Sequence, residues 1–460
     1  MRKYFVLLVT VIISATAVSA GGIFTNTNQS ASFIRMPSRG ASLDIDAVYY
    51  NPAGLTRLAE GLHISLNNQY ISQNRTITNN MSPLNQNEFK GTMSVPVFPS
   101  VYAAYKTGNL AFSLGLNIIG GGGEVVYENG LPSIETSVAA LVPALDRYGV
   151  TGYRNNVYFQ GSSVFYSGQL GASFEMFNIV SVYGGARVVM AVNTYEGHLR
   201  NVQVNTPEGW MKPGTYLREF VAPLRTGVQQ RIILDAANSI DISTADSEVD
   251  VSQKGNAIAP IVGLSIKPNE RLNIGVKYEF LTELELRNQT VADGTGLFPH
   301  GRTFRNDLPA LLSFGAAYRA TPRLNVAGGM HYFFDMEASY GRTVDGAPAA
   351  NQDLIDNDFI EIALGAEYLL TDALIVSGGY LRSQSGVNDR FQNDISHSLT
   401  ANSFGVGGRI AINEMIAVNL GFMMSLYVED SRRYSYSGLS VTESYNRDNM
   451  AVALGLDLRF

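Results

Sequence analysis

Residues 450–460 alternate without a break. Met450, Val452, Leu454, Leu456, Leu458 and Phe460 fall on one side of an extended chain, and Ala451, Ala453, Gly455, Asp457 and Arg459 fall on the other. A period of two puts every second side chain on the same face of a strand. One face here is wholly apolar and the other is small or charged. In water the apolar face needs a covering layer; in an outer membrane it meets lipid while the other face lines a lumen.

The pattern recurs. Leu110 to Ile118, Leu272 to Phe280, Phe359 to Leu370 and Ile416 to Leu426 alternate in the same way. Each stretch reaches the roughly 9–11 residues that a tilted membrane strand needs. The connections alternate in length as well. Short turns fall at Lys106–Asn109, Phe177–Asn178, Pro268–Arg271, Ala320–Pro322, Thr371–Asp372 and Ile412–Glu414. Long polar stretches cover 73–95, 119–160, 198–254, 286–308, 338–358, 384–400 and 430–446. Six short-turned hairpins between a strand near 61–72 and one at 446–460 predict an all-β antiparallel barrel of about fourteen strands, with both ends on the periplasmic side. A soluble sandwich shares the alternation but explains neither the short/long rhythm nor the unaccompanied apolar faces. Charged residues make up only 16%, against about 25% in soluble domains. The net charge of −7 takes weight from nucleic-acid binding, and the absence of cysteine excludes disulfides and thiolate metal sites.

The N-terminus reads as a secretory signal peptide over residues 1–20. Arg2 and Lys3 precede an apolar core from Phe5 to Ile13, and Val18 and Ala20 supply a small-residue cleavage site. That core is shorter than the roughly 20 residues of a spanning helix. Residues 21–60 do not alternate, and they are too few for a domain and too apolar for a solvated tail. They are expected to fold inward as a hatch that plugs the barrel of residues 61–460, since a barrel this wide otherwise encloses open space.

The stretch Gly40-Ala41-Ser42-Leu43-Asp44-Ile45-Asp46-Ala47-Val48-Tyr49-Tyr50-Asn51-Pro52-Ala53-Gly54-Leu55 resembles the N-terminal signature of FadL-type outer-membrane transporters of long-chain fatty acids and other hydrophobic compounds. The triplet Asn51-Pro52-Ala53 carries most of the likeness. The resemblance implies a monomer in outer-membrane lipid that takes a hydrophobic ligand, a fatty acid or an aromatic hydrocarbon. In such proteins the ligand passes from an extracellular groove to a lumenal site near the mature N-terminus, and leaves sideways through an inward kink of the third strand. Phe24 stands near the mature N-terminus, and Gly120, Gly121, Gly122 and Gly123 follow the third strand; they form either the kink or a flexible start to the loop. Spacings of three and four among Leu131, Ile134, Val138, Leu141, Val142 and Leu145 predict an amphipathic helix, which offers Leu141 and Leu145 either to a ligand groove or to neighbouring loops. In the hatch, Arg35, Asp44 and Asp46 are gating candidates that can pair with Lys277, Glu279, Arg409 or Arg459. Asn51 and Pro52 can set the turn into the first strand.

No cofactor, metal or nucleic acid is indicated. The five histidines are scattered, with no HExxH, GxSxG or phosphate-binding loop. His331 shares a face with Asn325 and Asp335. With no serine positioned beside it in the sequence, it reads as a lumenal polar residue and the chain reads as no enzyme. Passive, ligand-gated uptake of hydrophobic compounds leads; a diffusion porin and a structural or adhesion barrel are the alternatives.

Overall fold

The computed structural model describes residues 23–344, 347–436 and 438–460; the expected signal peptide lies outside them. Among these residues fourteen antiparallel strands form one closed barrel. They are β1 (Gly61–Asn79), β2 (Glu88–Thr107), β3 (Leu110–Tyr127), β4 (Gly152–Met176), β5 (Val180–Thr206), β6 (Ser247–Asn269) and β7 (Leu272–Glu279, continued by Glu285–Asp293). There follow β8 (Thr303–Arg305 and Leu311–Arg319), β9 (Leu324–Phe333), β10 (Phe359–Thr371), β11 (Leu374–Gln384), β12 (Ala401–Ala411), β13 (Ile416–Tyr427) and β14 (Leu439–Arg459).

β14 returns to β1 in continuous register from His63↔Arg459 to Asn79↔Glu443, which removes both sheet edges. Gly61 starts β1 with φ 110°, and a Cβ there would stand 2.1 Å from the Phe460 carbonyl oxygen. A side chain at 61 would break the closing exchange, in which Phe460 N–H donates to Leu62 O and Leu62 N–H to Phe460 O at 2.8 and 3.1 Å. The alternation assigns the faces as expected: Leu454 is 55% exposed and Ala453 1%.

All six short turns are present. The long connections are shorter than the sequence suggests, because β1 to β6 run on well past the apolar band. Residues 73–79, 88–95, 119–127, 152–160, 198–206 and 247–254 are strand. Above the bilayer both faces of a strand meet polar surroundings, so the hydropathy period fades while the hydrogen-bonded ladder continues.

Residues 23–58 lie inside the barrel, nearly all of them buried. A one-turn helix, Ala31–Arg35, is capped by Ser30, whose Oγ accepts from Phe33 N–H at 3.0 Å. It stops at Met36, which Pro37 holds extended. Phe33 stacks on Tyr50 at 5.5 Å between ring centres, and both join a core with Phe98, Tyr102 and Phe165 of the wall.

The wall receives this insert through lumenal glycines. A Cβ on Gly275 would lie 2.2 Å from Gly40 O, on Gly315 2.4 Å from Gly40 C, and on Gly405 2.4 Å from Ile34 O. On Gly365 and Gly379 it would meet Met36 and Pro37 at 2.4 and 2.7 Å. At Gly275, Gly315 and Gly405 the hatch backbone therefore rests against wall backbone, and at Gly365 and Gly379 hatch side chains do, with no room for a methyl group. Gly405→Val is expected to push the hatch off the wall, destabilising the barrel by about 1–3 kcal/mol and raising its conductance in planar bilayers. Gly184→Val, where nothing lies within 4 Å, is the control. Equal conductance of the two variants would refute the tight fit.

Candidate functional site

Two chambers occupy the extracellular half. One, of 310 Å³, lies among loops and is mostly apolar, with Ile134, Phe159, Leu199, Ile242 and Ile395 on its walls. The other, of 440 Å³, is deeper and is walled in part by Phe304, Met336, Tyr340, Arg302 and Arg342. Leu297 and Phe298 line both and form the partition between them. Phe298 is buried and stacks on Tyr195 at 5.8 Å. The expected helix exists as Pro132–Ala139 and Leu141–Leu145. Leu141 and Leu145 pack in a loop core with Val221, Ile233 and Ala237 and line neither chamber; Ile134 of the same segment does.

Tyr340 leads from the deeper chamber to the hatch. Its ring meets Phe24 edge-on at 4.7 Å, and its hydroxyl donates to Asp335. Asp335 also accepts from Phe359 N–H at 3.2 Å. Burial pushes its carboxyl up to about 7, against the opposing pull of those two donors.

Beyond Phe24 lies β3. Gly120 to Gly123 are strand residues rather than a loop start, and the strand there is deformed. Its register against β4 slips at Ile118/Gly120 and again at Gly121/Gly123. Gly121 and Gly122 take φ of 68° and 123°, which residues with side chains rarely adopt. Between the pairs Val101↔Leu116 and Thr92↔Val126 no β2–β3 ladder pairs form. Carbonyls of β3 turn to the hatch instead. Ile119 O accepts from Asn26 N–H and Gly121 O from Asn26 Nδ2, both at 2.6 Å, and Ile118 O accepts from Gln29 Nε2 at 2.8 Å.

The hatch charges pair differently from expectation. Asp46 takes Arg39 Nε and Nη2, each at 2.8 Å, and Asp44 takes Arg39 Nη2 at 2.7 Å; both acids thus pair within the hatch rather than with the wall. Arg39 was not singled out from the sequence, although it lies five and seven residues before the two acids. Arg35 reaches Glu367 at 2.6 Å and Ser377 at 2.8 Å, not Glu279. Lys277 and Arg187 share Glu279 and face the Tyr49 ring at 4.5 and 5.0 Å; Lys277 also donates to Tyr49 O at 2.7 Å. Asn51 Nδ2 donates to Ser42 O at 3.0 Å, Pro52 opens the 3₁₀ turn Pro52–Arg57, and Ala53 is buried against Tyr183 and Ile261. His331 does have a serine beside it, across the strands: Ser313 Oγ stands 2.8 Å from its Nδ1, placed by the β8–β9 register Ser313↔His331. Both are buried and neither lines a chamber.

The sequence profile of the family described as outer membrane protein transport protein (OMPP1/FadL/TodX) matches residues 11–459. A sequence search of curated proteins finds no match. Among solved structures, a Pseudomonas aeruginosa FadL homologue superposes with a TM-score of 0.65 at 13% identity, over 96% of this chain and all of that one. The Pseudomonas putida toluene transporter TodX gives 0.58 at 12%, over 97% of this chain and 100% of its own. The Ralstonia pickettii toluene transporter TbuX gives 0.53 at 17%, over 94% and 98%. At these identities the likeness is one of fold.

Two outcomes are expected. Arg35 is fully buried, and its Nε and Nη2 have no hydrogen-bond partner. Glu367→Ala should therefore cost about 3–5 kcal/mol, the usual effect of stranding a buried charge; urea unfolding measures it, and a loss below about 1 kcal/mol, the range of exposed ion pairs, would show the pair to be dispensable. Asp335 titrates near 7 when folded against an ordinary 3.8, so the folded state holds an extra proton between those values. Its contribution to stability is present in acid and is lost as pH rises from about 4 through 7. Comparing unfolding at pH 5 and pH 8, Asp335→Asn should remove on the order of 1 kcal/mol or more of this dependence.

Proposed function

The chain belongs to the OMPP1/FadL/TodX family of outer-membrane transport proteins, and on that premise we propose that it takes up long-chain fatty acids by passive, ligand-gated passage. The observation that carries this reading is the series of contacts from the loops to the wall. The loop chamber and the deeper chamber share Leu297 and Phe298, the deeper chamber ends at Tyr340, Tyr340 touches Phe24, and Phe24 borders the deformed glycines of β3.

A chamber of 440 Å³ suits a small ligand, and apolar burial supplies about 25 cal/mol per Å². Arg302 and Arg342 on its wall offer a carboxylate a charge-assisted partner. In this proposal Phe24 takes part in the lumenal site and Gly120 to Gly123 are the kink through which the ligand leaves sideways. Arg35, Asp44 and Asp46, with Asn51, Pro52 and Ala53, hold the hatch until it shifts. The protein works as a monomer in the outer membrane. The filled lumen argues against a diffusion porin.

A second reading is aromatic hydrocarbon uptake. TodX and TbuX are toluene transporters, and Phe298, Phe304 and Tyr340 give the deeper chamber aromatic walls.

The test is binding of a labelled long-chain fatty acid to the purified, folded barrel, with competition by toluene and by a sugar. Saturable binding displaced by apolar competitors alone is expected. Arg302→Gln should weaken fatty acid about tenfold and leave toluene unchanged. Equal loss for both ligands would remove the acid from the substrate class, and no saturable binding of either would overturn the proposal.

A further inference from the structure

Leu297 and Phe298 line both chambers, and the turn that carries them is built differently from the strands on either side. β7 ends at Asp293 and β8 begins at Thr303. Among the described residues, 294–298 take part in no ladder pair.

A single carboxylate organises the turn instead. Asp293 Oδ1 accepts from Thr295 N–H at 3.2 Å and from Thr295 Oγ1 at 2.7 Å, and its Oδ2 accepts from Phe298 N–H at 2.7 Å. Thr295 Oγ1 in turn accepts from Leu297 N–H at 3.2 Å. The amides of Leu297 and Phe298 are thus both anchored to Asp293, one of them through a hydroxyl. Thr290 Oγ1 adds a second brace by donating to Phe298 O at 2.5 Å. Bonds to an ionised acceptor are stronger than neutral ones, so the turn keeps its shape without a ladder. Gly296 takes φ 71°, and a Cβ there would meet nothing within 4 Å. That glycine serves the backbone angle, and nothing packs on the middle of the turn. Phe298 is buried in one core with Phe159 and Ile395 of the loop chamber. Packing closes the partition, and the brace at Asp293 fixes where it stands.

We propose that the 293–298 turn is an inner door between the chambers. Leu297 and Phe298 are its leaf, and Asp293 is the positioning residue that sets how readily it opens. This rests on the uptake reading above and adds to it the step that controls passage. The leaf is wholly apolar, so cargo that offers apolar surface replaces the contacts the leaf gives up, and a hydrated solute does not. Asp293 and Thr290 line neither chamber, so both act through the turn and not by touching cargo there.

The test is therefore kinetic. Asp293→Asn keeps one acceptor oxygen, which can serve Thr295 or Phe298 but not both, while the chamber walls keep their atoms. Stopped-flow binding of cis-parinaric acid, a fluorescent long-chain fatty acid, to the folded barrel follows the effect. Association and dissociation should each become about threefold faster or more, with Kd within about twofold of the parent. Faster passage both ways at unchanged affinity is the behaviour of a gate; a damaged binding site instead weakens Kd, chiefly through dissociation. Thr290→Val removes the bond to Phe298 O without a change of charge and should act in the same direction. Unchanged rates in both variants, or a weaker Kd with association unaltered, would overturn the door while leaving uptake standing. A parent barrel that fails to bind the acid would overturn the uptake reading and the door with it.

Discussion

Hydrocarbon offers no partner to a peptide N–H or C=O, so a chain that crosses it with strands must leave no ladder unpaired. The exchange between Leu62 and Phe460 meets that demand for this protein, and much else follows from it. Closing fourteen strands creates a lumen too wide for wall side chains to fill. The space is filled from within, by residues 23–58 from below and by the largely buried 391–397 segment of the β11–β12 loop from above. The lumenal glycines of β7, β8, β10, β11 and β12 serve the same end, because they let the hatch lie directly against the wall.

The wall breaks its own rule where β3 meets β2. Around Gly120 to Gly123, β3 forgoes pairs with β2 and turns carbonyls toward Asn26 and Gln29 of the hatch. Three of these carbonyls are satisfied by a partner that is not part of the ladder. If the hatch shifts, those acceptors must find other donors, so hatch position and wall integrity are one equilibrium rather than two. Asn26 and Gln29 thereby couple the interior to the lipid-facing surface.

Much of this was legible in the residues. Alternation fixed strand, face and turn because the bilayer imposes a sharp contrast on every second side chain, and all six short turns fell where polar breaks interrupted it. The upper halves of β4 and β5 were not legible, since outside the bilayer that contrast is gone. Neither were the pairings of Arg39 with Asp44 and Asp46, of Arg35 with Glu367, or of Ser313 with His331. Those depend on the path of the hatch and on cross-strand register, which no local pattern encodes. The same holds for the chambers, whose shared wall at Leu297 and Phe298 comes from a stretch that reads as loop.

The length of the strands bears on where capture takes place. β5 spans 27 residues, of which only about 9–11 are needed in the bilayer. The remainder, at about 3.3 Å per residue and a tilt of about 40°, lifts the rim by roughly 40 Å. The rim is therefore raised like a chimney on the side of β1 to β6, while β9, β11 and β12, of 10, 11 and 11 residues, end close to the bilayer. The entrance is thus lopsided, open toward the membrane on one side and walled far above it on the other.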